Sequence, residues 1–250
     1  LKPTYGLVSR HGLIAYASSF DQIGPIAKSS DDILFIMNII SGSDDFDSTC
    51  IGENTKLQNT NKKKQLRFAV IKDALELPAI HDGIKSEFNK LLFSLKEQGH
   101  TIQYIDLPLL KYLVPTYYIL TTAEASSNLS RYDGIKYGHQ IESKSLDDLV
   151  SQTRSRGFGK EVQRRILLGT YVLSEGYYDA YYTKAQKIRR LIKEKTEHIL
   201  SSNDYILLPT TPNIPFQIGK KNKDVTKLYF EDVFTVQANL SGHPALSFPL

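Results

Sequence analysis

One stretch of the chain places an amphipathic helix between two short apolar runs, and this order constrains the fold most strongly. Residues 66–71 and residues 101–107 are apolar runs with polar neighbours, and each predicts a strand. Between them, residues 82–98 carry apolar side chains at helical spacing on one face, and Gly99 provides the stop. Two strands connected by one amphipathic helix are typical of an α/β layer with a right-handed crossover. We therefore predict an α/β fold.

The rest of the chain is predicted to be mainly helical. Ser29 or Ser30 caps the first predicted helix, and Ser145 with Asp148 resembles a capping box. The further elements, in chain order, are a helix at 29–41, mostly helical structure at 116–200 with one long helix at 172–200, a strand at 205–208, a helix at 225–240 and a strand at 245–250.

Composition excludes several classes of function. The net charge of +4, with both signs interspersed, is too mild to indicate nucleic-acid binding on its own. Residues 62–64 are three lysines in a polar stretch, which predicts a solvated loop. The single cysteine, Cys50, excludes an intrachain disulfide and is interpreted as incidental. No apolar run approaches the roughly 20 residues that a membrane-spanning helix needs, so no membrane contact is predicted.

A search for a self-contained catalytic motif finds none. The chain has no Gly-x-Ser-x-Gly elbow, no Ser-x-x-Lys and no glycine-rich phosphate loop. Its six histidines are dispersed, without the spacing of metal ligands, and no metal site is predicted. Catalytic motifs alone therefore indicate only an α/β protein.

Three clusters stand out from this background. They are the pair Tyr117-Tyr118, the glycine- and arginine-containing run at 157–165, and the four tyrosines of residues 177–182. The tyrosines are typical of packing, because each ring buries a large area and needs one hydroxyl partner. Arg164 and Arg165 suit either a structural ion pair or a bound carboxylate, since a guanidinium fork serves both.

These segments resemble the amidase-signature family. Residues 1–27, which open on Leu-Lys-Pro-Thr-Tyr-Gly, resemble the stretch that follows the family signature. Residues 124–134, 157–170 and 176–182 narrow the resemblance to the A subunit of glutamyl-tRNA(Gln) or aspartyl-tRNA(Asn) amidotransferases. The resemblance covers residues 1–250. It implies a central mixed β-sheet flanked by helices, as part of a single amidase-signature domain that is incomplete at both ends.

The resemblance also implies a reaction. The A subunit hydrolyses glutamine, and the ammonia passes to a B subunit that amidates Glu on tRNA(Gln) with ATP and magnesium. A serine nucleophile, a bridging cis-serine and a lysine base perform the hydrolysis. In the family all three lie upstream of the position of Leu1, so we expect no catalytic residue in this chain and no activity from it alone. Ser18 and Ser19 match a non-catalytic position.

What remains is the recognition of glutamine, which is a zwitterion. Its carboxylate calls for a fork of N–H donors, and its ammonium calls for a carboxylate. By the resemblance, Arg165 binds the carboxylate, Asp232 binds the ammonium, and Tyr117 is a hydroxyl contact or a pocket wall. Glu231 is the alternative to Asp232, and Gln163 departs from the basic residue more common before the arginine pair.

The intact protein is thus expected to be a glutaminase subunit in the bacterial cytoplasm or an organelle. Its expected partners are the B and C subunits, glutamine and Glu-tRNA(Gln), with no cofactor in this subunit. Two alternatives stay open. One is an amidase of the same family that acts without tRNA, and the other is a non-catalytic interaction module.

Overall fold

A computed structural model describes residues 1–51, 57, 65–219 and 224–250 of the chain. The lysine run at 62–64, predicted to be a solvated loop, lies outside the described residues. Among the helices within these ranges, none is long and apolar enough to cross a membrane.

The chain divides into two compact units. Unit 1 combines three segments, Leu1–His11, Gln22–Pro115 and Arg189–Leu250. Unit 2 combines two segments, Gly12–Asp21 and Thr116–Ile188.

A parallel three-stranded sheet lies in unit 1. Its strands are β1 (Arg67–Ile71), β2 (Thr101–Ile105) and β3 (Tyr205–Leu207), in the order β2-β1-β3. The α/β class and all three strands are confirmed, although β2 ends two residues earlier than predicted. Both strand pairs are parallel, so the described strands lack the antiparallel pairing that the expected mixed sheet would need.

The crossover between β1 and β2 builds the core of unit 1. It consists of α2 (Lys72–Leu75) and α3 (Asp82–Glu97), as the sequence pattern predicted for residues 82–98. Phe88 and Leu92 lie one turn apart on α3 and pack with Val70 of β1 in one buried cluster. The helix stops at Gly99, whose φ of 84° is a left-handed conformation that glycine adopts without strain.

The first helix, α1 (Ser30–Ile40), follows its sequence signals closely. The Ser29 side chain accepts a hydrogen bond from the backbone of Asp32, which confirms the cap. Asp31 and Asp32 lie in the first turn, where the positive end of the helix dipole favours them.

Helices dominate unit 2. They are α4 (Leu110–Asn128), whose first residues belong to unit 1, α5 (Leu146–Gly157) and α6 (Lys160–Leu173). The predicted cap of α5 is confirmed, because the Ser145 side chain accepts from the Asp148 backbone. Gly157 is the last residue of α5, and Gly159 is the N-cap of α6.

The long helix predicted at 172–200 is wrong. Helix α6 ends at Leu173, and Gly176 adopts a φ of 84°, which a continuing right-handed helix excludes. A π-helical turn over Asp179–Thr183 follows and leads into α7 (Lys184–Ser202). Gly176 is a possible helix end in the sequence, but the helical spacing of the tyrosines around it favoured one continuous helix.

Two predictions near the end of the chain are also wrong. The helix predicted at 225–240 is two short helices, α8 (Val225–Phe230) and α9 (Val236–Ser241), with turns between them. The strand predicted at 245–250 is a single bridge in which Ala245 and Lys2 exchange backbone hydrogen bonds of 2.8 and 2.9 Å. Prolines before and within this segment lack the N–H groups that a longer ladder requires.

Candidate substrate-binding site

Helices α4 and α6 approach each other closely inside unit 2. A Cβ atom on Gly169 of α6 would lie 1.9 Å from the carbonyl oxygen of Thr122 and 2.8 Å from the Cβ of Ser126, both on α4. Only glycine fits at this distance. Arg165 lies one helical turn before Gly169 and therefore on the same face of α6, the face directed at α4.

Arg165 is held on its own helix by an acidic residue. Its Nε lies 3.3 Å from Oε1 of Glu161, and its side chain is 31% exposed. Arg164 donates to the other oxygen of the same carboxylate. The ion pairs of Arg164 and Arg165 with Glu161 therefore confirm the interpretation of the arginines as partners in structural ion pairs. One carboxylate thus contacts two guanidiniums.

Tyr16 supplies a second contact to Arg165. The Cζ of Arg165 lies over the Tyr16 ring, 5.5 Å from its centroid. Burial raises the pKa of the Tyr16 hydroxyl, while the Arg165 charge and hydrogen bonds to Thr121 and Arg165 oppose the rise. The phenol is therefore neutral at physiological pH and can donate a proton.

Thr121 lies between Tyr16 and the backbone of Tyr117. The Thr121 hydroxyl donates to the Tyr117 carbonyl at 2.9 Å. The Thr121 and Arg165 side chains both lie close enough to the Tyr16 hydroxyl to lower its pKa.

Residues 16–21, termed the anchored loop below, fold around one carboxylate. Asp21 accepts hydrogen bonds from the backbone N–H of Tyr16 at 2.9 Å and of Ala17 at 3.0 Å. The backbone N–H groups of Phe20 and Asp21 both reach the Ala17 carbonyl at 2.8 Å. These bonds fix the loop as a compact turn.

Two side chains of α4 fasten the anchored loop. Glu124 accepts from the backbone N–H of Ser19 at 2.8 Å and from its hydroxyl at 2.5 Å. Asn128, one turn further along, donates to the Tyr16 carbonyl at 3.1 Å and to the Ser18 hydroxyl at 3.0 Å. Ser18 and Ser19 thus have structural contacts. Sequence reasoning gave no role to Glu124, Asn128 or Tyr16.

Tyr117 lies in the same unit as Arg165 and is half-buried on α4. Its ring meets Phe20 of the anchored loop edge-on, at a centroid distance of 5.5 Å, and meets Tyr118 edge-on at 5.4 Å. Both contacts suit a wall of the site, and both come from the aromatic pair that the sequence singled out.

Asp232 lies in unit 1, in the turns between α8 and α9. Its carbonyl accepts from the backbone N–H groups of Thr235 and Val236, each at 3.1 Å, which shapes the start of α9. The neighbouring Glu231 accepts from the Asn213 side chain at 2.8 Å. Unit 2 therefore brings Tyr117 and Arg165 together, and the role of Asp232 stays a prediction.

The tyrosines of residues 177–182 pack against other tyrosine rings, as the interpretation of packing requires, but three of them are exposed. Tyr177, Tyr178 and Tyr181 are 43%, 44% and 39% exposed. The Tyr177 ring lies tilted against Tyr171 at a centroid distance of 4.4 Å, and the Tyr178 ring contacts Tyr182 at 5.2 Å. Contact with the Tyr177 hydroxyl raises the pKa of Tyr171 to about 12. The π-helical turn places these rings at the surface of unit 2.

In the part of the chain that the structure describes, no group of three or more His, Cys, Asp or Glu residues could hold a metal ion. Unit 2 places the Arg165 guanidinium against Glu161 and the Tyr16 ring, and it places Tyr117 on the neighbouring helix α4.

The model of the amidase family matches residues 1–250. The chain belongs to the amidase family. It is 47% identical over its full length to the A subunit of glutamyl-tRNA(Gln) amidotransferase from Sulfurihydrogenibium sp., and 48% identical to that from Campylobacter fetus. It spans 52% and 55% of these two proteins, about half the length of the curated relatives that it matches.

Solved structures of the amidase family give the same result. The crystal structure of the glutamyl-tRNA(Gln) amidotransferase A subunit from Thermotoga maritima is 40% identical, with a TM-score of 0.74. The match covers 96% of this chain and 48% of that one. A further amidase crystal structure is 22% identical with a TM-score of 0.70 over 96% of this chain and 48% of its own, which supports the fold alone.

Proposed function

We propose that the protein to which this chain belongs is the glutaminase subunit of a tRNA-dependent amidotransferase. In this proposal it hydrolyses glutamine and supplies ammonia for the conversion of Glu-tRNA(Gln) to Gln-tRNA(Gln). The observation that carries the proposal is Arg165, a guanidinium held between Glu161 and the Tyr16 ring on the face of α6 directed at α4. A guanidinium in this position suits the α-carboxylate of a free amino acid. A simple amide has no such carboxylate.

The relatives support the same proposal. Proteins 45–48% identical to this chain from several bacteria are named as the A subunit of glutamyl-tRNA(Gln) amidotransferase. Such a protein would work with B and C partners, with Glu-tRNA(Gln) reaching the complex and with ATP and magnesium used by the B partner. Its role in translation would place it in the cytoplasm or in an organelle.

Within this proposal each recognition residue has one task. Arg165 binds the carboxylate of glutamine, Asp232 binds its ammonium, and Tyr117 borders the substrate. The nucleophilic serine, the cis-serine and the lysine base would come from the remainder of the amidase domain. This chain then contributes binding and orientation of the substrate rather than bond cleavage.

The test is an assay of the full-length protein with its partner subunits. We expect glutamate release from glutamine, and amidation of Glu-tRNA(Gln) when ATP and magnesium are present. Replacement of Arg165 by Ala should raise the KM for glutamine by about 30-fold or more, because a charge-assisted contact to the carboxylate is lost. Arg190→Ala is the matched control, since Arg190 makes a similar i,i+4 pair with Glu194 at 2.8 Å on α7.

Two results would contradict the proposal. Rapid hydrolysis of a simple amide with no preference for glutamine would favour an amidase that acts without tRNA. A full-length protein that hydrolyses neither amide, although correctly folded, would favour a non-catalytic interaction module.

A further inference from the structure

The Tyr16 ring lies under the Arg165 guanidinium in unit 2. We propose that Tyr16 is a positioning residue, which holds the Arg165 guanidinium in the orientation that receives the carboxylate of the substrate. This inference rests on the proposed function, because it assumes that Arg165 binds that carboxylate.

The geometry of the guanidinium determines how it can receive a carboxylate. A guanidinium has five N–H donors in one plane, and a carboxylate uses two of them at once. Glu161 lies 3.3 Å from Nε, and Cζ lies over the Tyr16 ring, 5.5 Å from its centroid. The two contacts approach the guanidinium from different groups, so together they restrict its orientation more than either does alone.

The charge of the groups around Arg165 also matters. A further carboxylate beside Arg165, in addition to Glu161, would add negative charge and weaken the attraction for the substrate carboxylate. A neutral aromatic ring attracts the cation through its quadrupole and leaves the formal charge intact. Burial raises the pKa of the Tyr16 hydroxyl, so the phenol stays neutral at physiological pH. Tyr16 therefore orients the guanidinium without neutralising it.

The Tyr16 ring also has a rigid support. Tyr16 begins the anchored loop, and both of its backbone polar groups are bonded, the N–H to Asp21 and the carbonyl to Asn128. Glu124 fastens the same loop to α4 through Ser19. A ring on such a support loses little further freedom when Arg165 stacks on it, and a preorganised site binds more tightly.

The experiment uses the full-length protein in complex with its partner subunits. Glutamine hydrolysis is measured for Tyr16→Leu, Tyr16→Phe, Arg165→Ala and the double variant of Tyr16→Leu with Arg165→Ala. A second substrate is the glutamine analogue that lacks the α-carboxylate. The matched control is Tyr5→Leu, which removes a similar cation–π pair in unit 1, where the Tyr5 ring lies under Arg10 at 5.3 Å.

We expect Tyr16→Leu to raise the KM for glutamine by roughly 5- to 30-fold, with kcat within about twofold, since the cation–π contact and the polar hydroxyl beside Arg165 are lost. Tyr16→Phe keeps the ring and should raise the KM less, by about two- to fivefold. The double variant should have the KM of Arg165→Ala alone, because Tyr16 acts through Arg165. No Tyr16 variant should change hydrolysis of the analogue, and Tyr5→Leu should leave the KM for glutamine unchanged.

Different failures point to different parts of the argument. If Arg165→Ala raises the KM and Tyr16→Leu leaves it within twofold, the positioning role is wrong and the proposed function stands. If the KM increases of Tyr16→Leu and Arg165→Ala multiply in the double variant, Tyr16 has only a structural role. The same holds if Tyr16→Leu lowers hydrolysis of the analogue as much as hydrolysis of glutamine. If Arg165→Ala leaves the KM unchanged, the assignment of Arg165 fails first and the inference fails with it. If Tyr16→Leu does not fold, Tyr16→Phe decides by the same criteria.

Discussion

Gly169 of α6 lies so close to the Thr122 carbonyl of α4 that an added Cβ would come within 1.9 Å of its oxygen. The nearest atoms are backbone and cannot rotate away, so the two helices would have to separate. We predict that Gly169→Ala destabilises the protein by about 3 kcal/mol or more. It should also raise the KM for glutamine in the full-length protein, because Arg165 lies one turn away on the same face. Urea unfolding and glutamine kinetics measure the two effects.

Gly159→Ala is the control in the same helix. Gly159 is the N-cap of α6 with a φ of −65°, and an added Cβ meets nothing within 4 Å. We expect Gly159→Ala to lower the free energy of unfolding by less than about 1 kcal/mol, as is typical of a mild substitution at a helix N-cap. Equal stability of Gly169→Ala and Gly159→Ala would show that the two helices can separate without cost, contrary to the prediction.

The pair of Arg10 and Asp47 in unit 1 predicts a pH dependence of stability. Asp47 is 8% exposed and accepts from the Arg10 backbone at 2.8 Å and from the Arg10 side chain at 3.2 Å. The Arg10 side chain, followed by Thr49, holds the pKa of this carboxyl well below its usual range. A lowered folded pKa gives stability that is present above the unfolded pKa of about 3.9 and lost as the pH falls further.

We therefore expect Asp47→Asn to lower the free energy of unfolding by about 1–2 kcal/mol at pH 7. The difference from wild type should shrink as the pH falls below about 4, because the carboxyl of the unfolded chain then becomes protonated while the folded carboxyl, with its lower pKa, stays charged. Asp45→Asn, an exposed position in the same loop, is the control and should change little. A difference that is constant from pH 7 to about pH 2 would disprove the role of the charge.

Local signals in the sequence were sufficient for the three strands, α1 and α3 of unit 1, but not for the segments after residue 224. The apolar run before Ile71 indicates a buried strand, and the apolar stripe containing Phe88 indicates one buried helix face. Both patterns involve only residues that are close together in the sequence. The cap at Ser29 is local in the same sense. The tyrosines after Gly176 misled the prediction, because their spacing matches a helix although Gly176 adopts a φ of 84°. The helical spacing of the tyrosines thus favoured a continuous helix in spite of the single glycine.

The site could be predicted only in part, because its supports are long-range. The predicted roles of Arg165 and Tyr117 followed from the resemblance to amidases, and their residue types indicate the chemistry that each can perform. The partnership of Ser19 with Glu124 joins positions 105 residues apart, and no local pattern encodes it. Tyr16 was missed for the same reason, since only the fold brings its ring under Arg165.

Tyr117 was predicted to be either a hydroxyl contact or a pocket wall, and Tyr117→Phe separates the two. The edge contacts with Phe20 and Tyr118 involve only the ring, so the Phe variant should keep its thermal stability. We expect its KM for glutamine to rise by about 3- to 10-fold, the loss of one hydrogen bond to the substrate. An unchanged KM would leave Tyr117 as a wall. Tyr118→Phe, a buried neighbour on the same helix, controls for loss of a hydroxyl.

Asp232 and Glu231 offer adjacent carboxylates, and their surroundings predict different effects on substitution. Glu231 accepts from the Asn213 side chain at 2.8 Å, which gives it a structural role. Asp232 is the residue assigned to the ammonium of glutamine. In the full-length protein, Asp232→Asn should raise the KM for glutamine by about 10-fold or more, because a charge-assisted contact becomes neutral.

Glu231→Gln keeps the shape of its side chain and should leave that KM within about twofold, with at most a small loss of thermal stability. An analogue of glutamine without the α-amino group sharpens the comparison, because Asp232→Asn should hardly affect its hydrolysis if Asp232 binds the ammonium. If Glu231→Gln raises the KM for glutamine and Asp232→Asn does not, the ammonium ligand is Glu231. That outcome would mean that the Asn213 contact orients a binding carboxylate.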